Sequence, residues 1–379
     1  MGNHVDIGLA CVGCHACQVA CPHNAISMTA DSSGFLYPVV DLEECTECGR
    51  CKRACPVLNP PPANSLPEAY ACIARDDALR EVSSSGGVFG LLGQQVVDAG
   101  GVVFGAVLDE SLEVVHDGAE SDESLSLLRR SKYVQSRMGD TYRRVRNALK
   151  SDRKVLFSGT PCQVAGLKSY LGRDYDQLLC VDIVCHGVPS PRVWRRYLEY
   201  LEGLYQAKAV TAAFRRKDEG WRKFSLAVGF DSGAEHRMTL REDPFLRAFL
   251  SDVCLRPSCY KCRFKGLERA ADITLADFWG VEGVVPEMDD DRGTSLVLLH
   301  SEAGHQAFER VRSAIVTHCV SREAAVVHNA AAVRSAGTHS KSSAFYRRLD
   351  SMPFDRLVKR YCRPGLIRRI RRRVARLAS

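Results

Sequence analysis

Long apolar runs are missing from this chain. No stretch approaches the roughly 20 consecutive apolar residues that a membrane-spanning helix requires. The opening MGNHVDIGLA has neither the basic nor the apolar region of a secretory leader, so the expected location is the cytoplasm. A basic nucleic-acid face is missing too. Ten Lys or Arg residues and no acids lie between Arg356 and Ser379, whereas the remainder of the chain carries 42 basic and 45 acidic residues. The net charge of +7 therefore belongs to the C-terminal tail. Aromatics amount to 8% of residues and do not interleave with a basic groove as on a single-strand platform, which excludes a nucleic-acid partner. An even cysteine count is lacking as well: there are 17, many at two-residue spacing. In a reducing compartment such clusters serve as metal ligands rather than cystines.

What is present is 379 residues, 45% hydrophobic and 26% charged, the composition of a globular protein of two or three domains. The first 57 residues are a cysteine-dense module with an internal repeat. CVGCHACQVACP (11–22) matches CTECGRCKRACP (45–56) cysteine for cysteine, 34 residues apart. A four-iron core needs four converging thiolates, and in the bacterial two-cluster pattern the fourth cysteine of each run crosses to the other cluster. One 4Fe–4S cluster is then expected on Cys11, Cys14, Cys17 and Cys55, and a second on Cys45, Cys48, Cys51 and Cys21. Zinc is the alternative, but it pairs two CxxC knuckles and needs neither a third cysteine nor the CP that closes each run. The module resembles bacterial two-cluster ferredoxins.

The proline-rich segment 58–68 reads as a linker. Beyond it strands alternate with helices of 10–15 residues, implying βαβ units and a largely parallel sheet. FSLAVGF and HRMTL, within 210–242, suggest antiparallel strands. The expected fold class is α/β of mixed α+β character. The boundaries are 1–57 for the ferredoxin-type module, 58–68 for the linker, 69–150 and 151–345 for the two parts of the main domain, and 346–379 for a basic amphipathic tail.

Two strand ends attract attention because ligands in open α/β sheets sit beyond the carboxyl ends of strands. KVLFSGTPCQVAGLKSYL (154–171) places Cys162 at a helix start, and LLCVDIVCHG (178–187) ends on Cys185. RPSCYKCRFKG adds Cys259 and Cys262. These four could ligate a third 4Fe–4S cluster, with Cys254 a rival ligand. Cys72, Cys180, Cys319 and Cys362 read as structural. Asp272 and Asp277 read as caps or as partners of Arg263 or Lys265. The acids of EMDDDRGTS (287–295) read as a solvated turn rather than a metal site.

SSSGGVFG, SKYVQS, SGTPCQVAGLKSYL, VCHGVPSP, LRPSCYKCRFKG and ADITLADFWG occur in this order between about 69 and 330, and together they resemble the beta-subunit family of coenzyme F-420 hydrogenases and dehydrogenases. The resemblance implies an FAD-binding α/β domain with its own 4Fe–4S cluster, in which electrons pass between clusters and flavin and hydride passes to or from a soluble substrate. The substrate is deazaflavin F-420 in founding members and a chlorophyll derivative in some relatives. It further implies that Ser85, Gly86 and Gly87 approach the flavin, that Lys132, Tyr133 and Gln135 supply polar contacts, and that Thr160 and Gln163 flank the cluster cysteine. His186 is placed as a proton donor near the flavin or as a hydrogen-bond partner of a ligand. The partner implied is a redox protein or a small-molecule acceptor or donor.

PGLIRRIRRRVARLAS (364–379) forms, as a helix, an apolar stripe among arginines, suited to peripheral contact with a membrane's inner face or to an acidic partner. The function expected is an iron–sulfur flavoprotein oxidoreductase. The alternatives are a non-catalytic electron-transfer subunit and a redox-dead scaffold, the latter opposed by the complete set of eight ferredoxin cysteines.

Overall fold

A computed structural model describes residues 3–362. In the N-terminal module the short helices α1 (Ala16–Ala20) and α2 (Arg50–Arg53) flank an antiparallel hairpin of β1 (Ile26–Ala30) and β2 (Leu36–Val40). The main domain continues with β3 (Glu68–Ala74), α3 (Val88–Asp98), β4 (Val102–Leu108), β5 (Val114–Ala119), α4 (Thr141–Lys150), β6 (Val155–Gly159), α5 (Pro161–Leu171), β7 (Leu178–Ile183) and α6 (Pro191–Tyr205). An antiparallel sheet of β8 (Ala209–Arg216), β9 (Ser225–Phe230) and β10 (Glu235–Thr239) follows. Then come β11 (Ile273–Asp277), β12 (Ser295–Leu299), α7 (Glu302–Val311), β13 (Ile315–Val320), α8 (Ser342–Arg348) and α9 (Phe354–Tyr361).

The main sheet has eight strands in the order β13-β3-β12-β11-β7-β6-β4-β5. The central run β4, β6, β7 and β11 is parallel, and the outer strands are antiparallel. Its inner strands read as unbroken apolar runs because both faces are covered. Along β4 and β6 the side chains alternate in period two: Val103 and Leu156 face α3 and α7, whereas Val102, Phe104, Val155 and Phe157 face α4 and α5. The start of α5 is written into its sequence. Thr160 caps it, Gln163 reciprocates the cap, and Pro161 occupies the first position. Ser190 caps α6 in the same way, accepting from the amides of Arg192 and Val193.

One boundary differs from the sequence reading. The segment from 346, expected to begin a tail, packs inward as far as Cys362: Leu349, Phe354, Leu357 and Val358 join α6 and the antiparallel sheet in one buried cluster. Alternating apolar residues are hard to distinguish from a basic amphipathic helix when arginines fill the gaps between them. The membrane or partner helix expected at 364–379 lies outside the described residues. Within the 58–68 segment, Asn64 donates through its amide to Arg269 O (2.8 Å) and through its side chain to Ala271 O (2.9 Å).

These bonds belong to a broader docking of the N-terminal module on the sheet. Cys14, Ala16, Val19 and Ala54 share a hydrophobic cluster with Val145, Phe157, Val164 and Leu167. At Gly166 a Cβ would stand 2.8 Å from the Tyr142 hydroxyl and 3.0 Å from both Cβ and Sγ of Cys14. Glycine there lets α5 and the module touch. Arg256 fixes the opposite side. It is 0% exposed and donates to Cys11 O (2.7 Å), Leu36 O (2.9 Å) and Gln135 Oε1 (2.9 Å), while Gln135 donates to Val12 O. Its guanidinium also lies over the rings of Tyr37 and Phe35.

Gly166→Leu is expected to overpack this contact by about 1–3 kcal/mol. The signs to measure are a lower urea midpoint and faster proteolysis within 58–68, with an unchanged cleavage rate as the contrary result. Arg256→Met leaves two carbonyls and an amide oxygen buried without a donor, at about 1–3 kcal/mol for each such group. A fall in the denaturation midpoint is expected for Arg256→Met and none for the exposed control Arg322→Met.

Candidate functional site

The cysteine runs adopt the same backbone twice. Gly13 and its repeat counterpart Glu47 have φ of 67° and 52°, and His15 and its counterpart Gly49 have φ of 63° and 69°. Left-handed residues between cysteines turn successive amides inward and build an anion-receiving concavity. The Gly13 amide, for one, points at Cys11 Sγ at 3.4 Å. Cys55 stands beside Cys11, Cys14 and Cys17. Burial chiefly, then Cys17 with Cys11 and Cys55, drives the Cys14 thiol well above its ordinary value, and burial with Cys11 and Cys51 raises Cys55. These four thiols are all buried. Of the other four, Cys51 is buried, Cys21 and Cys45 are half-buried, and Cys48 is exposed. The Arg50 backbone amide holds the Cys48 thiol below its ordinary value.

A separate cavity is lined by Cys162, Cys185, Cys259 and Cys262 together with Val12, His186, Arg256, Lys265 and Arg269. Cys162 comes from the start of α5 beyond β6, Cys185 from the loop beyond β7, and the CxxC pair from a single 3-10 turn at Pro257–Lys261. All four are half-buried. Burial raises the Cys162 thiol against the bond from Thr160 Oγ1, and Cys185, Cys262 and Cys259 raise it further. Burial and Cys185 push Cys259 up to about 12. Among the described residues no three His, Cys, Asp or Glu side chains converge on a point that would hold one ion. Cations ring the cavity: Lys265 Nζ donates to Cys185 O and Ala331 O, and Arg269 is held by the buried Asp182 at 3.2 Å. Four thiols facing three cations form a donor set suited to a polynuclear, anionic iron–sulfur core.

This cavity adjoins the first cysteine group. Val12, between Cys11 and Cys14, lines it, and Arg256 reaches from it to Cys11 O. The Tyr37 hydroxyl is buried without a hydrogen-bond partner. Burial raises it, Arg256 opposes, and Asp31, Cys11 and Cys259 add to the rise.

Cys254 is not at the cavity. It lies 0% exposed in the α6 cluster, where burial and Cys362 raise it. Asp277 pairs with the buried Arg215 and accepts from Trp221 Nε1 (2.8 Å), and Asp272 accepts from Cys180 N (2.7 Å) and Ser301 Oγ (2.7 Å). The partners expected for these acids, Arg263 and Lys265, bond to backbone carbonyls instead. The acids of 287–295 are not simply solvated: Asp290 pairs with Arg80 (2.6 Å) and Asp289 with Arg222 (2.8 Å).

The residues expected around a flavin are mostly engaged within the protein. Ser85 Oγ donates to Thr294 O and the Gly86 amide to Ser295 Oγ, and a Cβ at Gly86 would lie 2.2 Å from Cys72 O. Gly87, at φ 92°, starts α3 against Ala74. Gln135 serves Arg256 and Val12, while Gln163 serves the α5 cap with Thr160 and donates to Ser136. These side chains close the fold at positions where a cradle was expected. Lys132 Nζ donates to Leu127 O and Arg129 O, and burial followed by Arg130 holds it down at about 7. Tyr133 stacks on Phe249 at 5.0 Å, and His186 meets the edge of the same ring at 5.3 Å while its Nε2 bonds Asp252 at 2.5 Å.

Beside Tyr133 lies a group the sequence reading passed over. Arg215 is 2% exposed, yet its Nε and Nη2 lack partners. Lys217 is held at about 8, first by burial and then by Arg80, Arg215 and Arg130. A buried guanidinium with two unpartnered nitrogens, paired on its other side with Asp277 and lying beside Lys217, has the donors an anionic ligand such as a diphosphate would take. The signal was the basic run FRRK at 214–217, which strand alternation obscured.

Comparison with known proteins follows this division. Residues 152–323 match the family model for the C terminus of the coenzyme F420 hydrogenase/dehydrogenase beta subunit, and residues 10–59 match a 4Fe-4S dicluster domain. A ferredoxin-type protein NapF of Haemophilus influenzae is 36% identical over 60 residues, 14% of this chain and 34% of its own length. One component of the Na(+)-translocating ferredoxin:NAD(+) oxidoreductase complex of Acetobacterium woodii is 44% identical over 46 residues, 12% of this chain and 13% of its own. The chain thus spans about a third or less of these curated relatives. A chain from the F420-reducing [NiFe] hydrogenase complex of Methanosarcina barkeri aligns at 14% identity and a TM-score of 0.47, covering 79% of this chain and 91% of that one. Two segments of the chain are thus similar to known families: residues 152–323 to the C terminus of the coenzyme F420 hydrogenase/dehydrogenase beta subunit, and residues 10–59 to a 4Fe-4S dicluster domain.

Proposed function

We propose that this chain is an iron–sulfur flavoprotein oxidoreductase with three 4Fe–4S clusters and one FAD. Cys45, Cys48, Cys51 and Cys21 would hold an outer cluster, Cys11, Cys14, Cys17 and Cys55 an inner one, and Cys162, Cys185, Cys259 and Cys262 the cluster of the cavity. The observation that carries the reading is one turn of α5. Cys162 at its start lines the cavity, and Gly166, four residues on, is the glycine that admits Cys14. Two thiol groups on adjacent turns of one helix make a continuous route.

A bound flavin would interconvert single electrons and a hydride pair for a soluble substrate, a deazaflavin being one candidate. The chain's own residues set the order of the route. Thiol exposure decreases from Cys48 to the four inner cysteines, so electrons enter or leave at the outer group. Arg256, Lys265 and Arg269 supply positive charge at the cavity, and Arg215, Lys217 and Lys132 supply it where the flavin phosphates would lie. His186, held by Asp252 and packed on Phe249 with Tyr133, is placed to keep a proton between the cavity and the flavin site.

The full internal engagement of Gln135, Gln163 and Gly86 favours a second reading, an electron-transfer subunit whose flavin sits in a partner. Anaerobic purification with metal, sulfide and flavin quantified per chain separates the two. About twelve irons, four per cluster, and one FAD are expected, with Cys259→Ser falling to about eight irons. Eight irons in the unmodified protein, or zinc in place of iron, would remove the cavity cluster. Twelve irons without FAD would select the electron-transfer subunit.

A further inference from the structure

Charges of both signs lie near the outer cysteine group. Asp41, Glu43, Glu44 and Glu47 surround Cys45 and Cys48 in sequence, and all four acids are exposed. On the Cys21 side a surface recess is lined by Cys21, Pro22, Asn24, Arg50, Arg143 and Arg146. Arg50 comes from α2 of the N-terminal module, and Arg143 and Arg146 come from α4 of the main domain, so the recess exists only because the two are docked. Among the described residues none of these three arginines has a carboxylate within salt-bridge distance, although Arg144 on the same helix pairs with Asp117 at 2.6 Å. Arg146 is held in place by stacking over Tyr170 at 5.0 Å, and its buried Nε has no hydrogen-bond partner. Outside residues 356–379 the chain is slightly acidic, so three unpaired arginines beside one half-buried cysteine stand out against their background.

We infer that this recess is the docking surface for a redox partner protein that carries surface carboxylates around its own redox centre. Two arginines from one element and one from another present three forked donors that match carboxylates. The recess sits beside Cys21, so a partner seated there would face its centre toward that cysteine. The chain's own 364–379 segment, dense in arginine, is the wrong sign to occupy the recess. The inference rests on the proposed function for the role of Cys21, but the location and chemistry of the docking surface are its own claim.

The test uses the full iron-loaded chain with a small acidic bacterial ferredoxin as probe. Binding by calorimetry and reduction by the pre-reduced probe are followed at low and high salt. The unmodified chain should bind more tightly and react faster as salt falls, and R50E/R143E/R146E should lose at least about tenfold in both. R50E/R143E, which leaves the Arg146–Tyr170 stack intact, should lose part of this, and R50K/R143K should recover most of it. Reduced methyl viologen, a small cation, should reduce all variants at the rate of the unmodified chain. Unchanged probe binding in the triple variant would overturn the inference, as would loss of binding to anionic vesicles with ferredoxin binding intact, which would assign the recess to a membrane. If no iron is reducible by methyl viologen the functional reading fails, and the binding comparison still decides the docking surface.

Discussion

A guanidinium buried without a carboxylate is the constraint around which this molecule is arranged. Arg256 is 0% exposed, and its three hydrogen-bond acceptors are the carbonyls of Cys11 and Leu36 and the amide oxygen of Gln135. A buried charge needs compensation, and among the described residues no acid provides it. Thiols stand on both sides, Cys11 in one direction and Cys259 in the other. Clusters bound there would supply the missing negative charge. The same residue thereby docks the N-terminal module and separates two groups of cysteines by little more than one side chain. Gly13 is small for this reason, since a Cβ would lie 2.7 Å from Arg256 Nη1 and 2.5 Å from Gln135 Nε2.

With the module seated in this way, the thiol groups adjoin one another. Exposed Cys48 and half-buried Cys21 lie at the surface, the buried group follows, and the half-buried thiols of the cavity at the carboxyl ends of β6 and β7 adjoin it. Beyond the cavity Phe249 and Tyr133 lead to the cations around Arg215. The main sheet contributes position more than chemistry. Its parallel strands deliver Cys162, Cys185 and Asp277 to one edge because strand ends in such a sheet are adjacent in space whatever their separation in sequence.

Much of this was legible in the letters, for identifiable reasons. The cysteine repeat is visible because inorganic cores demand fixed spacing, and α5 is visible because Thr160, Pro161 and Gln163 each have one job at a helix start. Short apolar runs closed by turn and helix signals gave β6 and β7 away. What could not be read depends on contacts between distant segments. Gly166 looks like any helix glycine until Cys14 is set against it, and Arg256 is one more basic residue ahead of a CxxC. Gln135 and Gln163 carry the polarity expected of ligand contacts but spend it on the clamp and the cap. Cys254 reads as a rival ligand because it is near Cys259 in sequence, yet it points into the α6 cluster. The helix Phe354–Tyr361 reads as tail because its basic residues outweigh Phe354, Leu357 and Val358, which are core.

The central claim is that the cavity of Cys162, Cys185, Cys259 and Cys262 holds a cluster in close succession with the one on Cys11, Cys14, Cys17 and Cys55. Electron paramagnetic resonance of the fully reduced protein tests it most directly, because neighbouring paramagnetic clusters split and broaden one another's signals. The account predicts a broadened, interacting spectrum in the unmodified chain that simplifies to that of the N-terminal clusters alone in Cys162→Ser. An identical spectrum in both proteins would contradict it.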